Sequence, residues 1–191
     1  MNMEEVSSRR ERELIAAAGS GDREAFSELL RRNETMVYGA VLGYCGDTHA
    51  AQEALQQAFC RAWQRLRSFR GDSSFGTWLC RIALNAASDL SRRRDRRREA
   101  GDEALALIPD RGRSPREKAA AGELERIVAD AVASLPERYR SAAALHYLAG
   151  ASLEQAAAVL GLRPAGVATR LKRARRMLRR RLAWLQEELY G

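Results

Sequence analysis

Apolar residues recur along this chain at three- and four-residue spacing, and no segment sustains period-two alternation, which predicts an all-α protein. Leu14 and Ile15 open a short helix that ends at Gly19–Ser20–Gly21. Asp22 suits the N-cap of a second helix, because its carboxylate can accept from the orphan amides of the first turn. Phe26, Leu29, Leu30, Met36, Val37 and Val41 form the apolar stripe of that helix, and Gly43 to Asp47 reads as a break. A third helix places Ala51, Leu55, Phe59, Trp63 and Leu66 on one face. A loop follows over Phe69–Arg70–Gly71–Asp72–Ser73–Ser74, marked by its glycine and capping residues. A fourth helix carries Phe75, Trp78, Leu79, Ile82, Ala86 and Leu90, with Phe75 and Trp78 read as core.

The pattern then changes. Ser91 to Arg98 reads SRRRDRRR, and Glu99 to Arg116 is polar, with Gly101, Pro109, Gly112 and Pro115. This predicts a flexible linker in which Leu105, Leu107 and Ile108 offer a transient docking segment. A second helical block starts near Glu117. Leu124, Ile127, Val128 and Val132 make one helix; Pro136 begins another, with Tyr139, Ala143, Leu145 and Leu148. Ser152 and Gln155 have the spacing of a capping box, and the short helix they open stops at Gly161. The last helix starts at Pro164 with Val167, Leu171, Ala174, Leu178, Leu182 and Leu185 facing inward. The segment Trp184–Tyr190 is expected to end this helix.

At 191 residues, 46% hydrophobic and 30% charged, the composition is globular. Charge interrupts every long apolar segment and Met1 to Arg12 lacks an apolar core, so neither a membrane span nor a secretory signal is expected. A cytoplasmic protein is the default. Cys45, Cys60 and Cys80 are too scattered for a disulfide framework or a metal site and read as small buried hydrophobes. No cofactor is expected.

The net charge of +8 is unevenly placed. Residues 1–90 hold 11 basic and 12 acidic residues; residues 91–118 hold 10 and 6; residues 119–191 hold 12 and 7. A basic excess confined to the middle and C-terminal parts points to a polyanionic partner, of which nucleic acid is the commonest.

Residues 152–175, SLEQAAAVLGLRPAGVATRLKRAR, sharpen that expectation. A capped helix, a glycine turn and a second helix are the parts of a helix-turn-helix, with Ala156 small at the crossing and Leu160, Leu162, Val167 and Leu171 closing the core. Stepping 100° per residue from an inward Val167 puts Ala165, Thr169, Lys172, Arg173 and Arg176 outward, with Arg170 flanking. Eight basic residues from Arg170 to Arg181 can neutralise phosphates, and arginine can bond guanine in pairs. DNA binding is the expected role of this block.

Phe69 to Asp89, FRGDSSFGTWLCRIALNAASD, closely resembles the promoter-opening segment of extracytoplasmic-function (group IV) sigma factors. Upstream, AAQEALQQAFCRAW resembles that family's polymerase-binding helix, and SLPERYRSAAALHYLAGASLEQAAAVLGL resembles the opening of its fourth conserved region. The resemblance implies sigma domain two over residues 1–95, a linker over 96–118 and sigma domain four over 119–191. It implies Glu53, Gln56, Gln57 and Arg61 as contacts to core RNA polymerase. It implies Phe69, Arg70, Gly71, Asp72, Ser73, Ser74 and Asn85 as the receptor for the melted minus-ten strand, with Arg81 and Arg92, and beside it Arg93 and Arg94, meeting phosphates. For the minus-thirty-five duplex it implies His146, Arg163, Gly166, Ala168, Thr169, Lys172 and Arg173, to which the outward face of the helix adds Arg170 and Arg176. It also implies an anti-sigma partner. The chain departs from the family pattern at Gln57, which predicts weaker core polymerase binding, and at Arg163, Gly166 and Ala168, which predicts an altered promoter preference.

The runner-up reading is a helix-turn-helix regulator that acts without being a polymerase subunit; it explains the C-terminal block and leaves Phe69 to Asn85 as core. A nuclease or other enzyme lacks support, because there are no paired carboxylates at metal spacing, no phosphate-binding glycine loop and no activated nucleophile; no small-molecule substrate is expected. An RNA adaptor built on SRRRDRRR is the third alternative. His49 is isolated and reads as surface.

Overall fold

The computed structural model describes residues 3–99 and 127–183. These residues are helical, with no strand among them. The first block contains α1 (Met3–Gly19), α2 (Arg23–Cys45), α3 (Thr48–Arg65), a 3-10 turn (Leu66–Ser68) and α4 (Phe75–Glu99). The second contains α5 (127–133), α6 (Glu137–Ala143), a π-helical turn (Ala144–Leu148), α7 (Leu153–Leu160) and α8 (Pro164–Arg181). Among the described residues no helix is long and apolar enough to cross a membrane.

Three boundaries differ from the sequence expectation, each for a local reason. The first helix begins about three turns before Leu14, at Met3. Its polar end has no apolar stripe to announce it, and Arg9 and Arg10 instead pair with Glu13 at 3.2 and 3.5 Å across one turn. The second helix runs through Gly43 to Cys45 and stops at Gly46, whose φ of 70° is left-handed. Residues 96–99, expected to begin the linker, continue α4. The rest of the expected linker, with Leu105, Leu107, Ile108 and Leu124, lies outside the described residues, as do Leu185 and the tail from Trp184.

The core of the first block sits between α2, α3 and α4, with α1 laid along α2. Asp22 caps α2 as expected, accepting from Glu24 and Ala25 at 2.9 and 3.1 Å. The buried face of α3 is Ala50, Ala51, Ala54, Ala58 and Ala62, small residues that let its backbone approach α4, where Ala83, Ala86 and Ala87 are buried too. Where the rings are large they gather at the other end. Phe75, fully buried, stands edge-on to Phe26 at 6.4 Å and to Phe69 at 6.1 Å, with Trp78 tilted beside it at 5.7 Å.

The second block has a core of its own in Val132, Leu135, Leu145, Ala156, Val167 and Ala174. The two blocks also pack on each other: α2 lies against α6 and the π turn, and α4 against α7, so one apolar cluster runs through both. The cysteines divide. Cys80 is buried and Cys45 half-buried, and burial pushes their thiols up to about 12 and about 11. Cys60, expected inside, is exposed, because it lies on α3 opposite the alanine face.

Phe75→Ala removes the ring around which the aromatic cluster is organised. The expected loss of stability is about 3–5 kcal/mol, read as a lowered urea midpoint at unchanged slope. A loss below about 1 kcal/mol would contradict this packing.

Candidate nucleic-acid interface

Close approach of α3 and α4 leaves long polar side chains to close over the seam. Three of the four residues expected to meet polymerase form a ladder there. Gln57 donates to Glu53 at 3.5 Å, Arg61 donates to Gln57 at 3.5 Å and to Asp89 on α4 at 3.0 Å, and Arg94 donates to Glu53 at 3.3 Å. Gln56 is exposed on the same helix. Asp89 and Arg94 are recruited across the helix boundary. Sequence spacing on α3 alone does not reveal them, although Asp89 was part of the motif.

The loop between α3 and α4 divides into two parts. Phe69 turns inward, its ring 5.2 Å from Trp78. Arg70, Gly71 and Asp72 are exposed, Gly71 holding a left-handed φ of 77°, and Ser73 is half-buried. Ser74 is exposed, but its hydroxyl caps α4, accepting from the Thr77 amide at 3.2 Å and sharing a bond with the Thr77 hydroxyl at 2.9 Å. A second cap comes from far away in sequence: Glu11 of α1 accepts from the Phe75 amide at 2.9 Å. Its carboxylate suits the positive end of the helix dipole and fixes the loop exit. Nothing in the local sequence announces this role.

Asn85 is exposed on α4, one turn beyond Arg81. Arg81 itself is bonded to the second block. It donates to the Val159 carbonyl at 3.2 Å and to the Ala158 carbonyl, both in the last turn of α7, where helix carbonyls lack internal partners. Further along α4, Arg92 donates to Glu137 of α6 at 3.0 Å. The same carboxylate oxygen accepts from Ser88 at 2.7 Å and from Tyr44 at 3.3 Å. The Ser88 hydroxyl above all, then Arg92 and Tyr44, holds the Glu137 carboxyl below its ordinary value against the opposing effect of desolvation.

The helix-turn-helix is built as the sequence implies. Ser152 accepts from the Gln155 amide at 3.2 Å while the Gln155 side chain accepts from the Ser152 amide at 2.9 Å. Gly161 ends α7 at a left-handed φ of 65°, and Pro164 opens α8. Val167, Leu171, Ala174 and Leu178 are buried. Ala165, Ala168, Thr169, Lys172, Arg173 and Arg176 are exposed on α8, and Gly166 and Arg170 are half-buried. Arg163 is exposed at the N-cap position, with no side-chain bond to the helix. Two tyrosines outside α8 steady its arginines: Tyr139 accepts from Arg173 at 3.3 Å and Tyr147 from Arg175 at 3.2 Å. His146 is half-buried, and its Nδ1 lies 3.0 Å from the Ala151 carbonyl, tying the π turn to the start of α7.

A basic helix-turn-helix thus stands beside an α-helical block carrying a capped loop and an exposed asparagine. Two family models match in that order: Sigma-70 region 2 over residues 29–97, and Sigma-70, region 4, over residues 125–178. The chain belongs to the extracytoplasmic-function group of the sigma-70 family. It is 32% identical to the RNA polymerase sigma-H factor of Pseudomonas aeruginosa over 93% of this chain and 96% of that protein. It is 32% identical to the ECF RNA polymerase sigma-E factor of Haemophilus influenzae over 88% of this chain and 93% of that protein. A probable RNA polymerase sigma factor RfaY of Xanthomonas campestris is 35% identical over 86% of this chain, which spans 42% of that longer protein. Among solved structures, CnrH in complex with the cytosolic domain of CnrY superposes with a TM-score of 0.66 at 29% identity, over 91% of this chain and 97% of that one. The sigma factor RpoE of Bartonella quintana, solved with the anti-sigma factor NepR, gives a TM-score of 0.64 at 25% identity, over 83% and 96%.

In this sigma factor the region 2 match takes in α2 from Leu29 onward, α3 and nearly all of α4, and the region 4 match takes in α5 to α7 and nearly all of α8. The loop, Asn85 and the α3 ladder fall in the first, and the helix-turn-helix in the second. Ser152→Ala opens the capping box and is expected to cost about 1 kcal/mol, with the α7 amides losing hydrogen-exchange protection before those of α2. Equal protection in variant and parent would show that packing alone holds the start of α7.

Proposed function

We infer that this sigma factor binds core RNA polymerase and directs promoter-specific initiation of transcription. The observation that carries the reading is the joint presence, in order, of both sigma regions, one with a glycine loop and an exposed Asn85 on the helix after it, and the other with an outward basic helix. It acts as an adaptor with no reaction of its own, in the cytoplasm, and takes no small-molecule substrate. Residues 1–95 serve as the polymerase-gripping and strand-opening domain, 96–118 as linker and 119–191 as the duplex reader.

The roles follow from what each group can do. Glu53, Gln56, Gln57 and Arg61 present a mixed acidic and amide ridge to polymerase. Asn85 can both donate to and accept from the edge of a base drawn out of the stack, and that bonding offsets the few kcal/mol of unstacking. Arg70 and the exposed loop backbone lie next to the path of that strand. On α8, Lys172, Arg173 and Arg176 meet phosphates or guanine edges, while Gly166 and Ala168 give less side-chain reach than the family pattern and shift the promoter preference. An anti-sigma partner fits as well, since both solved neighbours were captured with a protein of that kind or a cytosolic partner domain.

The test is run-off transcription with purified bacterial core polymerase on templates selected by the reconstituted holoenzyme. Specific transcripts are expected, and a regulator that works without joining polymerase gives none. Asn85→Ala should lower permanganate-detected strand opening by about tenfold or more, with duplex binding reduced less than threefold. Equal loss of both would remove Asn85 from strand capture.

A further inference from the structure

The loop that carries Arg70, Gly71 and Asp72 is tied to α1 at both of its ends. At the exit the half-buried Glu11 accepts from the Phe75 amide at 2.9 Å. At the entry Arg67, in the 3-10 turn, donates to the Gly19 carbonyl at the end of α1 at 3.4 Å. Leu14 and Ala18 are buried, so α1 is seated in the core of the first block. The first turn of α4 is fixed from α2 as well: a methyl group built on Gly76 would collide with the Asn33 side chain. Phe69 and Phe75 bracket the loop ring against ring at 6.1 Å. Between these anchors a methyl built on Gly71 would meet nothing within 4 Å. The middle of the loop is thus open to a partner while its ends are held.

We propose that α1, which precedes the region 2 match, is a positioning element for strand capture, and that Glu11 is its principal residue. The proposal rests on the reading of this loop and Asn85 as the receptor for the melted strand. Glu11 and Arg67 act without touching DNA, by holding the loop in one arrangement relative to α4, the helix that carries Asn85. A loop already ordered loses less freedom when it binds, and a loop ordered part of the time binds in proportion to that part. Charge argues against a direct contact: a carboxylate repels a phosphate strand, so Glu11 favours DNA only through the amide it holds. At that amide a carboxylate is the fitting acceptor, because its charge meets the positive end of the α4 dipole. The bracket therefore predicts a selective defect. When it is loosened, strand capture weakens, whereas polymerase binding through α3 and duplex binding through α8 do not follow.

Glu11→Ala in the full chain, assembled with core polymerase, tests this. Permanganate-detected opening of a promoter selected by the parent holoenzyme is expected to fall about fivefold, the effect of one lost helix cap. Affinities for core polymerase and for minus-thirty-five duplex are expected to stay within about twofold, the scatter of a surface substitution. Hydrogen exchange of the free chain is expected to be faster at residues 70–75 and unchanged in α8. Glu11→Gln keeps an acceptor and drops the charge, and should restore most of the opening. Arg67→Ala is the second variant, with a smaller effect expected because its bond is long and exposed. Parental exchange in Glu11→Ala would overturn the bracket. Faster exchange with parental opening would overturn the positioning role, as would opening by Glu11→Gln above the parental level, the mark of direct repulsion between Glu11 and the strand. Losses of equal size in core affinity and in opening would overturn it too, by reducing Glu11 to a general support of the fold. A parent holoenzyme that opens no promoter would remove the sigma reading, and the positioning role with it, whatever the variants do.

Discussion

Small side chains at helix crossings are the constraint on which this molecule depends. Alanines at 50, 51, 54, 58 and 62 form the buried face of α3, the helix that packs along α4 and α2. Dispersion between closely spaced backbones then supplies contact that bulky residues would supply elsewhere. The polar consequence is as important. When two helices nearly touch, the long side chains flanking the crossing meet across it, and Glu53, Gln57, Arg61, Asp89 and Arg94 interlock as a result. Each such pair is partly exposed and contributes about 1 kcal/mol or less. Their effect is to hold the ridge in one arrangement, so that a partner meets an ordered pattern of charge and amide.

The same logic of remote support recurs at the other sites. The loop between α3 and α4 is fixed at its exit by Ser74 from within and by Glu11, 64 positions before Phe75, from α1. The arginines of α8 are steadied by hydroxyls from α6 and the π turn, both outside the helix-turn-helix proper. A phenol that is largely buried loses little freedom on binding a guanidinium, so Tyr139 restricts Arg173 at small entropic cost. Recognition residues on an exposed helix face are thereby less mobile than their exposure alone implies.

What the sequence made legible was whatever is encoded locally. Asp22, Ser152 with Gln155, Gly161 and Pro164 act within one turn of themselves, and each does what its spacing implied. The inward stripe of α8 followed from a single period. The start of α1 was hidden because ion pairs, and not an apolar stripe, support it. The continuation of α4 through SRRRDRRR was hidden because a run of arginine reads equally as a solvated helix end or as the edge of a linker. Cys60 was misread because small size favours burial on average, while its place on the helix decides. Glu11, Tyr139 and Tyr147 had no local signal at all; each acts through a tertiary contact. Among the assigned DNA ligands, the second engagement of Arg81 and Arg92 was invisible for the same reason.

Those bonds of Arg81 and Arg92 also show what holds the two blocks together. The pair between Arg92 and Glu137 is exposed, with 63% and 52% of the two side chains accessible, so solvent screens it heavily. Most of the hold must come from Leu148 and its neighbours against Gly39 and Gly43 of α2, where shape and not charge decides the fit. A contact of that kind persists in salt.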